Sequence, residues 1–421
     1  MKLLTFSFLI FLNFLSADDW VKLHYDPSKA PADNPLKGFV PYSGDSLNNK
    51  FPCSMEWFYL GLDKIMNGPD SFTFESSLEK KLKEISSRGK QSIFRIYLDY
   101  PSQKHAVPQF LLDNGHKLIP YKNDDPDNKG GLSPDYKDEN LIKAMESSIA
   151  AMGKKYDGDP RIAFITLGYL GHWGEWHTYP NEHLMANRQV QLRIIKAFYN
   201  AFKTTKYLLR YPDHLEKSMP CGLHDDSFAF ATLYNKKEDW YFLSRAKKSG
   251  TLDIWKTQAI GGEIYPPLQK KLWDKNPPKN SEDFAECARQ THCSWLINNA
   301  AFNAKWNETQ KNSAIAGAKL LGYEFYMEAF SLKQGLLKVK IKNTGIAPFY
   351  YKWPVELIDL ESKSVIMPDW DIRTILPEMS VEFSIKTRGT KLGLRINNPM
   401  EKGLNLKFAN ETQNGDILIL K

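Results

Sequence analysis

Between residues 38 and 321, short apolar runs alternate with longer segments in which apolar positions recur every three or four residues, the pattern of β-strands separated by amphipathic helices. Eight runs stand out, at 38–42, 55–60, 92–98, 162–167, 207–211, 228–234, 257–264 and 294–297. Helices are predicted among them at 75–87, 139–155, 188–203, 238–248, 282–289 and 309–320. This alternation predicts an α/β protein, specifically a (β/α)8 TIM barrel. An open doubly wound sheet is the competing topology, but no glycine-rich phosphate loop follows the first strand. The stretch 101–138, rich in Asn, Asp, Gly, Lys and Pro, is too long for a plain connection and is expected to be an active-site loop.

Past Gly322 the period drops to two. Leu337, Val339 and Ile341 alternate with Lys338, Lys340 and Lys342, as do Val381, Phe383 and Ile385 with Glu382, Ser384 and Lys386. Such alternation marks half-buried antiparallel strands. With the runs at 404–408 and 417–420 it predicts a small all-β sandwich domain over 322–421, which leaves 18–321 to the barrel. Residues 1–17 hold one early cation, a short apolar centre and the small residues Ser16 and Ala17, which reads as a secretory signal peptide and predicts export. No later stretch is long and apolar enough to span a membrane.

Composition then narrows the partners. The net charge of +7 is spread over Lys and Arg interspersed with acids, without a basic arm, zinc finger or RNA-binding aromatic signature, so no nucleic acid is expected. A mildly positive field would instead favour an anionic glycan. Export makes Cys53, Cys221, Cys287 and Cys293 candidates for disulfides, with Cys287 and Cys293 the easiest local pair and free core thiols the alternative for the other two. Asn307 and Asn410 each open an N-glycosylation sequon.

The chemistry-bearing residues cluster after predicted strands. Glu175, within Gly171-His172-Trp173-Gly174-Glu175-Trp176-His177, is expected to close the fourth strand, and Glu263 the seventh. Parallel strands of a barrel would bring both carboxylates to one rim. Two carboxylates flanking a glycosidic bond are the equipment for its hydrolysis, one protonating the leaving oxygen while the other attacks or activates water. His172, Trp173, Trp176 and His177 around Glu175, and Asp99 after the third strand, are expected to touch substrate. Arg95 and Arg210, inside the third and fifth strands, are expected among the substrate-binding residues, where a cation facing the interior would keep a nearby nucleophile glutamate ionised. Asp225 and Asp226 precede the sixth run and are assigned a structural role at the opposite end. A His-Glu-x-x-His motif, a Cys/His cluster and a Gly-x-Ser-x-Gly elbow are all missing, so neither a metal, a cofactor nor a serine triad is expected.

The order of these elements resembles the retaining clan A glycosidases, whose acid/base glutamate ends strand four and whose nucleophile ends strand seven. The segments Asn34-Pro35-Leu36-Lys37-Gly38-Phe39, Phe94-Arg95-Ile96-Tyr97, Leu209-Arg210-Tyr211-Pro212, His224-Asp225-Asp226-Ser227-Phe228 and Asn343-Thr344-Gly345-Ile346-Ala347-Pro348 also resemble a glycosidase-like family of secreted proteins catalogued as domains of unknown function, which joins such a barrel to a C-terminal sandwich. The clan resemblance implies that Glu175 is the acid/base, Glu263 the nucleophile, Tyr234 the tyrosine set against that nucleophile and Trp295 the sugar-stacking tryptophan. It also implies an Asn before the acid/base, where this chain has Gly174. The function implied is a secreted, retaining glycoside hydrolase acting on an oligo- or polysaccharide. The alternatives are a non-catalytic carbohydrate-binding barrel and a metal-dependent hydrolase.

Overall fold

Eight parallel strands form one sheet in the computed structural model, which describes residues 19–48, 50–124 and 129–421. They are β1 (Gly38–Val40), β2 (Met55–Gly61), β3 (Gln91–Tyr97), β4 (Ile162–Thr166), β5 (Tyr207–Leu209), β6 (Gly222–Phe228), β7 (Ile260–Ile264) and β8 (Trp295–Ile297). Each strand pairs with its neighbours in sequence, and β8 returns to β1 through Leu296 opposite Phe39. The remaining seam, β1 to β2, is closed by a parallel bridge between Tyr42 and Trp57. The sheet is therefore a barrel, as the alternation of runs predicts. The leader reading of residues 1–17 lies outside the described residues.

Helices α1 (Leu78–Ser87), α2 (Glu139–Tyr156), α3 (Arg188–Ala201), α4 (Phe242–Ser249), α5 (Phe284–Thr291) and α6 (Glu308–Leu320) cover the outside. Helix α2 shows why they form. Asp138 caps its N-terminus by accepting from the Asn140 N–H, and Lys154 and Lys155 occupy the last turn, where cations favour the helix dipole. Its stripe Leu141, Met145, Ile149 and Met152 is buried in one cluster with Phe94, Ile96 and Ile165 of the sheet. None of the helices of the described residues is long and apolar enough to cross a membrane.

Strand β6 departs from expectation. The run at 228–234 was expected to be the strand, but pairing with β5 and β7 runs through Gly222 to Phe228. The true strand carries His224, Asp225 and Asp226, and its polarity hides it from a search for apolar runs. The stretch 101–138 folds into a short helix, Gln109–Asp113, and a hairpin, Leu118–Lys122 with Gly130–Pro134.

The C-terminal residues form two antiparallel sheets. One contains β9 (Phe325–Lys333), β10 (Leu336–Asn343) and β12 (Ser380–Lys386), and the other β11 (Val355–Asp359), β13 (Leu392–Ile396) and β14 (Ile417–Leu420). The run at 404–408 contributes only a single bridge, Leu406 to Ile396. Strand Val21–Lys22 pairs with β9, so the start of the described chain belongs structurally with the second domain. One apolar cluster joins the inner faces of both sheets to Met55, Ile93, Ala163 and Leu208, which lie toward the amino-terminal ends of β2 to β5. The sandwich therefore plugs the bottom of the barrel and leaves the carboxyl-terminal rim open.

All four cysteines are free and buried. Cys287 lies instead within hydrogen-bond reach of Glu282, and Cys293 of the Trp295 carbonyl. Asn410 is fully buried, exchanging hydrogen bonds of 2.9 Å with both the N–H and the carbonyl of Met327. That sequon serves the sandwich core and has no room for a glycan.

Candidate functional site

The rim of the barrel carries a ring of charges. Arg95, on β3, is held inside it by Thr166 of β4, whose hydroxyl accepts from Nε at 3.0 Å, while its guanidinium lies 5.2 Å from the Trp57 ring. Nη1 donates to Glu175 Oε1 at 2.8 Å and Nη2 approaches Asp226 Oδ1 at 3.5 Å. Arg210, just beyond β5, repeats the arrangement. Its Nη1 lies 2.8 Å from Glu175 Oε2 and 3.0 Å from Asp226 Oδ2. Tyr59 of β2 donates to Glu175 Oε1 at 3.3 Å, His177 Nε2 stands 3.4 Å from Oε2, and His224 of β6 contacts Asp226.

Glu175 does not end a strand. It sits on the loop that follows β4, anchored because the Tyr169 N–H donates to the Ile96 carbonyl and the Trp173 N–H to that of Asp99. Tyr169, Gly171, Trp173, Gly174 and Trp176 all have positive φ, which folds the loop tightly enough to turn Glu175 inward. At Gly174 φ is +71° and a Cβ would lie 2.7 Å from the Ile96 carbonyl oxygen. The Asn implied by the clan resemblance has no space at that position.

Glu263, on β7, is 8% exposed and differently surrounded. The hydrogen bond it receives comes from the Gln269 amide, 3.0 Å from Oε1. Burial, then Asp226 and Glu175, raise its pKa well above the usual carboxyl value, and Arg95 and Gln269 only partly offset them. Burial and Asp226 also push Glu175 upward, but His177, Arg95 and Arg210 outweigh them and hold it below the usual range. Asp226 is likewise pulled down, against burial, by Arg210, His224 and Arg95. Burial is the largest influence on His224 and His177 and lowers both, against the pull of Asp226 and Glu175. The surroundings of the two glutamates thus run opposite to the implied roles: two guanidiniums close on Glu175, the implied acid, while burial and the neighbouring carboxylates raise Glu263, the implied nucleophile.

The other anticipated residues divide. Trp173 is half-buried at the rim, its ring edge-on to Tyr100 at 6.4 Å. Asp99 and His172 are buried behind it, where His172 stacks on Tyr121 at 4.8 Å and the Tyr121 hydroxyl donates to Asp99 at 2.9 Å. Burial raises Asp99 to about 7 and lowers His172 to about 4, and at 1% and 0% exposure neither offers a face to a ligand.

Three assignments need correction. Trp176 is 1% exposed in the core, its indole N–H bound to the Gly168 carbonyl, so it cannot be a sugar platform. Trp295 opens β8 rather than ending it and packs in the barrel interior against Phe164, Trp57 and His224. Gly261 makes that possible, since a Cβ there would lie 2.2 Å from the indole. Tyr234 lies outside the barrel, 46% exposed beneath Lys247 of α4, because β6 ends at Phe228.

The functional residue that sequence reasoning missed is Asp226. With β6 in its true register, His224 and Asp226 face inward, while Asp225 faces the helices and accepts from Thr232 at 2.7 Å. The signal available was the period-two spacing of His224 and Asp226. A cavity of about 110 Å³ opens beside them, lined by Arg210, Tyr211, His224, Asp226, Trp240 and Arg245 among others. Larger hollows, of about 510 to 750 Å³, lie along the sandwich and the outer helices, away from these charges. No group of His, Cys, Asp and Glu among the described residues is arranged to hold a metal.

No protein-family model matches this chain, and no curated protein matches it. Solved structures similar to it include endo-glycoceramidase II from Rhodococcus sp., at a TM-score of 0.39 and 11% identity, over 88% of this chain and 100% of that one. A GH5_18 protein from Bifidobacterium longum, in complex with Manb1-4GlcNAc, gives 0.38 and 8% over 65% and 70%. The endoglucanase Cel5A of Pseudomonas stutzeri gives 0.31 and 10% over 58% and 72%. Likenesses this distant carry no argument about chemistry, which rests on the side chains.

Proposed function

We propose that the protein is a glycoside hydrolase that cleaves a glycosidic bond between Glu175 and Glu263 by retention. The observation that carries this reading is the opposite setting of two carboxyl groups at one barrel rim, Glu175 held by two guanidiniums and Glu263 held by the Gln269 amide alone among its hydrogen bonds and raised by burial and the carboxylates near it. A reaction that passes a proton to a leaving oxygen while an anion faces the anomeric carbon needs such a difference. The apolar layer of Trp57, Phe164 and Trp295 beneath the charges keeps the local dielectric low, which strengthens each electrostatic contact. A sugar-binding barrel without catalysis is the second reading, but burial of Trp176 and Trp295 removes two of the rings it relied on. The leader-like pattern of residues 1–17 supports action outside the cell.

The test is hydrolysis of a broad glycan and aryl glycoside panel by the wild type, Glu175→Gln and Glu263→Gln. The reading expects turnover by the wild type and its loss on unactivated glycans in each variant. Turnover that survives both substitutions, or no turnover on any substrate, removes it.

A further inference from the structure

The site holds more carboxyl groups than cations to match them. Arg95 and Arg210 face Glu175 and Asp226, each cation within 3.5 Å of both carboxylates, so two positive and two negative charges close on themselves. Glu263 lies outside that exchange. The groups that face it are Asp226 from β6, Glu175 from the loop after β4, Tyr42 and Tyr59 from the β1–β2 side of the rim, Tyr100, and Arg95, which is already engaged. Ionising Glu263 would leave one unmatched charge in a buried cluster, which is strongly unfavourable without a partner.

The hydrogen bonds are compatible with this. Glu263 Oε1 accepts from the Gln269 amide at 3.0 Å, a contact that a protonated carboxyl makes through its carbonyl oxygen with Oε2 carrying the proton. At Glu175 each oxygen already takes a charged donor at 2.8 Å, and its remaining contacts, Tyr59 at 3.3 Å and His177 at 3.4 Å, are the long ones a reacting atom would displace.

Resting on the hydrolase reading, we propose that Glu263 is the proton donor of this site and Glu175 its anionic nucleophile, with Asp226 the positioning residue that keeps both guanidiniums in place. In the first step a Glu175 oxygen bonds to the anomeric carbon, the bond from that carbon to the leaving oxygen breaks, and the leaving oxygen takes the proton of Glu263. In the second, Glu263 accepts a proton from water, the water oxygen bonds to the anomeric carbon, and the bond to Glu175 breaks, which restores both groups. The acid then works from the β7 side of the rim, opposite to the arrangement implied by strand order.

Two measurements test this separately from the hydrolase reading. Infrared difference spectra of wild type against each Gln variant near neutral pH are expected to show a protonated-carboxyl band lost in Glu263→Gln and kept in Glu175→Gln, with thermal melts confirming that both variants fold. Loss of that band in Glu175→Gln, or its absence from the Glu263→Gln difference, overturns the assignment whether or not any substrate is turned over. Kinetics supply the second readout, using dinitrophenyl glycosides, whose leaving group needs no proton, beside methyl glycosides. Glu263→Gln is expected to lose about 10²- to 10⁴-fold on the methyl glycosides and far less on the dinitrophenyl ones, with azide restoring turnover and yielding a glycosyl azide. Glu175→Gln is expected to fail on both. The mirror pattern, with Glu175→Gln spared on dinitrophenyl glycosides, overturns the roles while the hydrolase reading stands. No hydrolysis by the wild type removes that reading, and the infrared result still decides where the proton sits.

Discussion

Glu175 and Asp226 are bound by the same two guanidiniums, although one lies on the loop after β4 and the other within β6. Arg95 reaches them at 2.8 and 3.5 Å, and Arg210 at 2.8 and 3.0 Å. Side chains from β3, β6 and the end of β5 thereby fix one loop carboxylate. The arrangement is a square of alternating charge, and its members cannot be removed one at a time without leaving a buried charge unmatched.

The first prediction follows from that square. Arg95→Met replaces a guanidinium that is almost wholly buried with an apolar chain and leaves two carboxylates to share Arg210. Breaking a buried pair from one side costs about 3–5 kcal/mol. Urea unfolding should show a loss of that order, and the Glu175 pKa should rise with the nearby cation gone. A loss below about 1 kcal/mol would mean that water screens the square as it screens a surface pair.

Asp225 predicts a pH effect of the opposite kind. Burial raises it to about 7, although Thr232 and Ser227 oppose the shift. An unfolded aspartate titrates near 4. Between about pH 4 and 7 the folded protein therefore keeps a proton that the unfolded chain has released, and the stability contributed by this group falls as pH rises through that window. Asp225→Asn has no proton to lose. Stability measured across the window should move in favour of the variant by roughly 4 kcal/mol relative to wild type. Parallel pH profiles for the two proteins would exclude the effect.

What could be read from sequence divides along the barrel wall. Strands such as β4, whose Ile162, Ala163, Phe164 and Ile165 are buried on both faces, are visible as apolar runs, and so the barrel and most of its helices were legible. Strand β6 was not, because its inward positions are His224 and Asp226, polar for the sake of the rim. Apolar pattern moved the strand to residues 228–234, and that single slip hid Asp226 and misplaced Tyr234 together. Glu175 and Glu263 were legible because each follows or closes an apolar run, one ringed by aromatic and imidazole residues and the other after two glycines. Their charge states were not legible, since these depend on which cations close on which carboxylate in three dimensions. Val355–Asp359 and Leu392–Ile396 alternate only briefly, Val355 and Leu357 around Glu356 and Leu394 and Ile396 around Arg395, too short a pattern to stand out.

Trp295 separates packing from recognition. It is fully buried between Phe164 and Trp57, and the missing Cβ of Gly261 accommodates its ring. Trp295→Phe should lower stability by about 1–3 kcal/mol through the void it leaves. KM for any glycoside that the wild type hydrolyses should stay within about twofold, because an interior ring makes no substrate contact. A large rise in KM with unchanged stability would return the residue to the role of sugar platform.

Gly174 makes the final case, where a glycine decides the position of the residue after it. Its φ of +71° suits glycine, and an added Cβ would press against the Ile96 carbonyl at 2.7 Å, a backbone atom of β3 that cannot move without its strand. Gly174→Ala should therefore cost about 1–3 kcal/mol. The loop must lift from β3 to relieve the contact, carrying Glu175 away from Arg95 and Arg210, so turnover should fall by more than the loss of folded protein explains. Gly174→Asn should behave no better, even though it restores the residue that the clan places before its acid/base, because the same Cβ is present. Full activity in the Asn variant would show that the loop tolerates the side chain and that the absent amide, not backbone space, was the relevant difference.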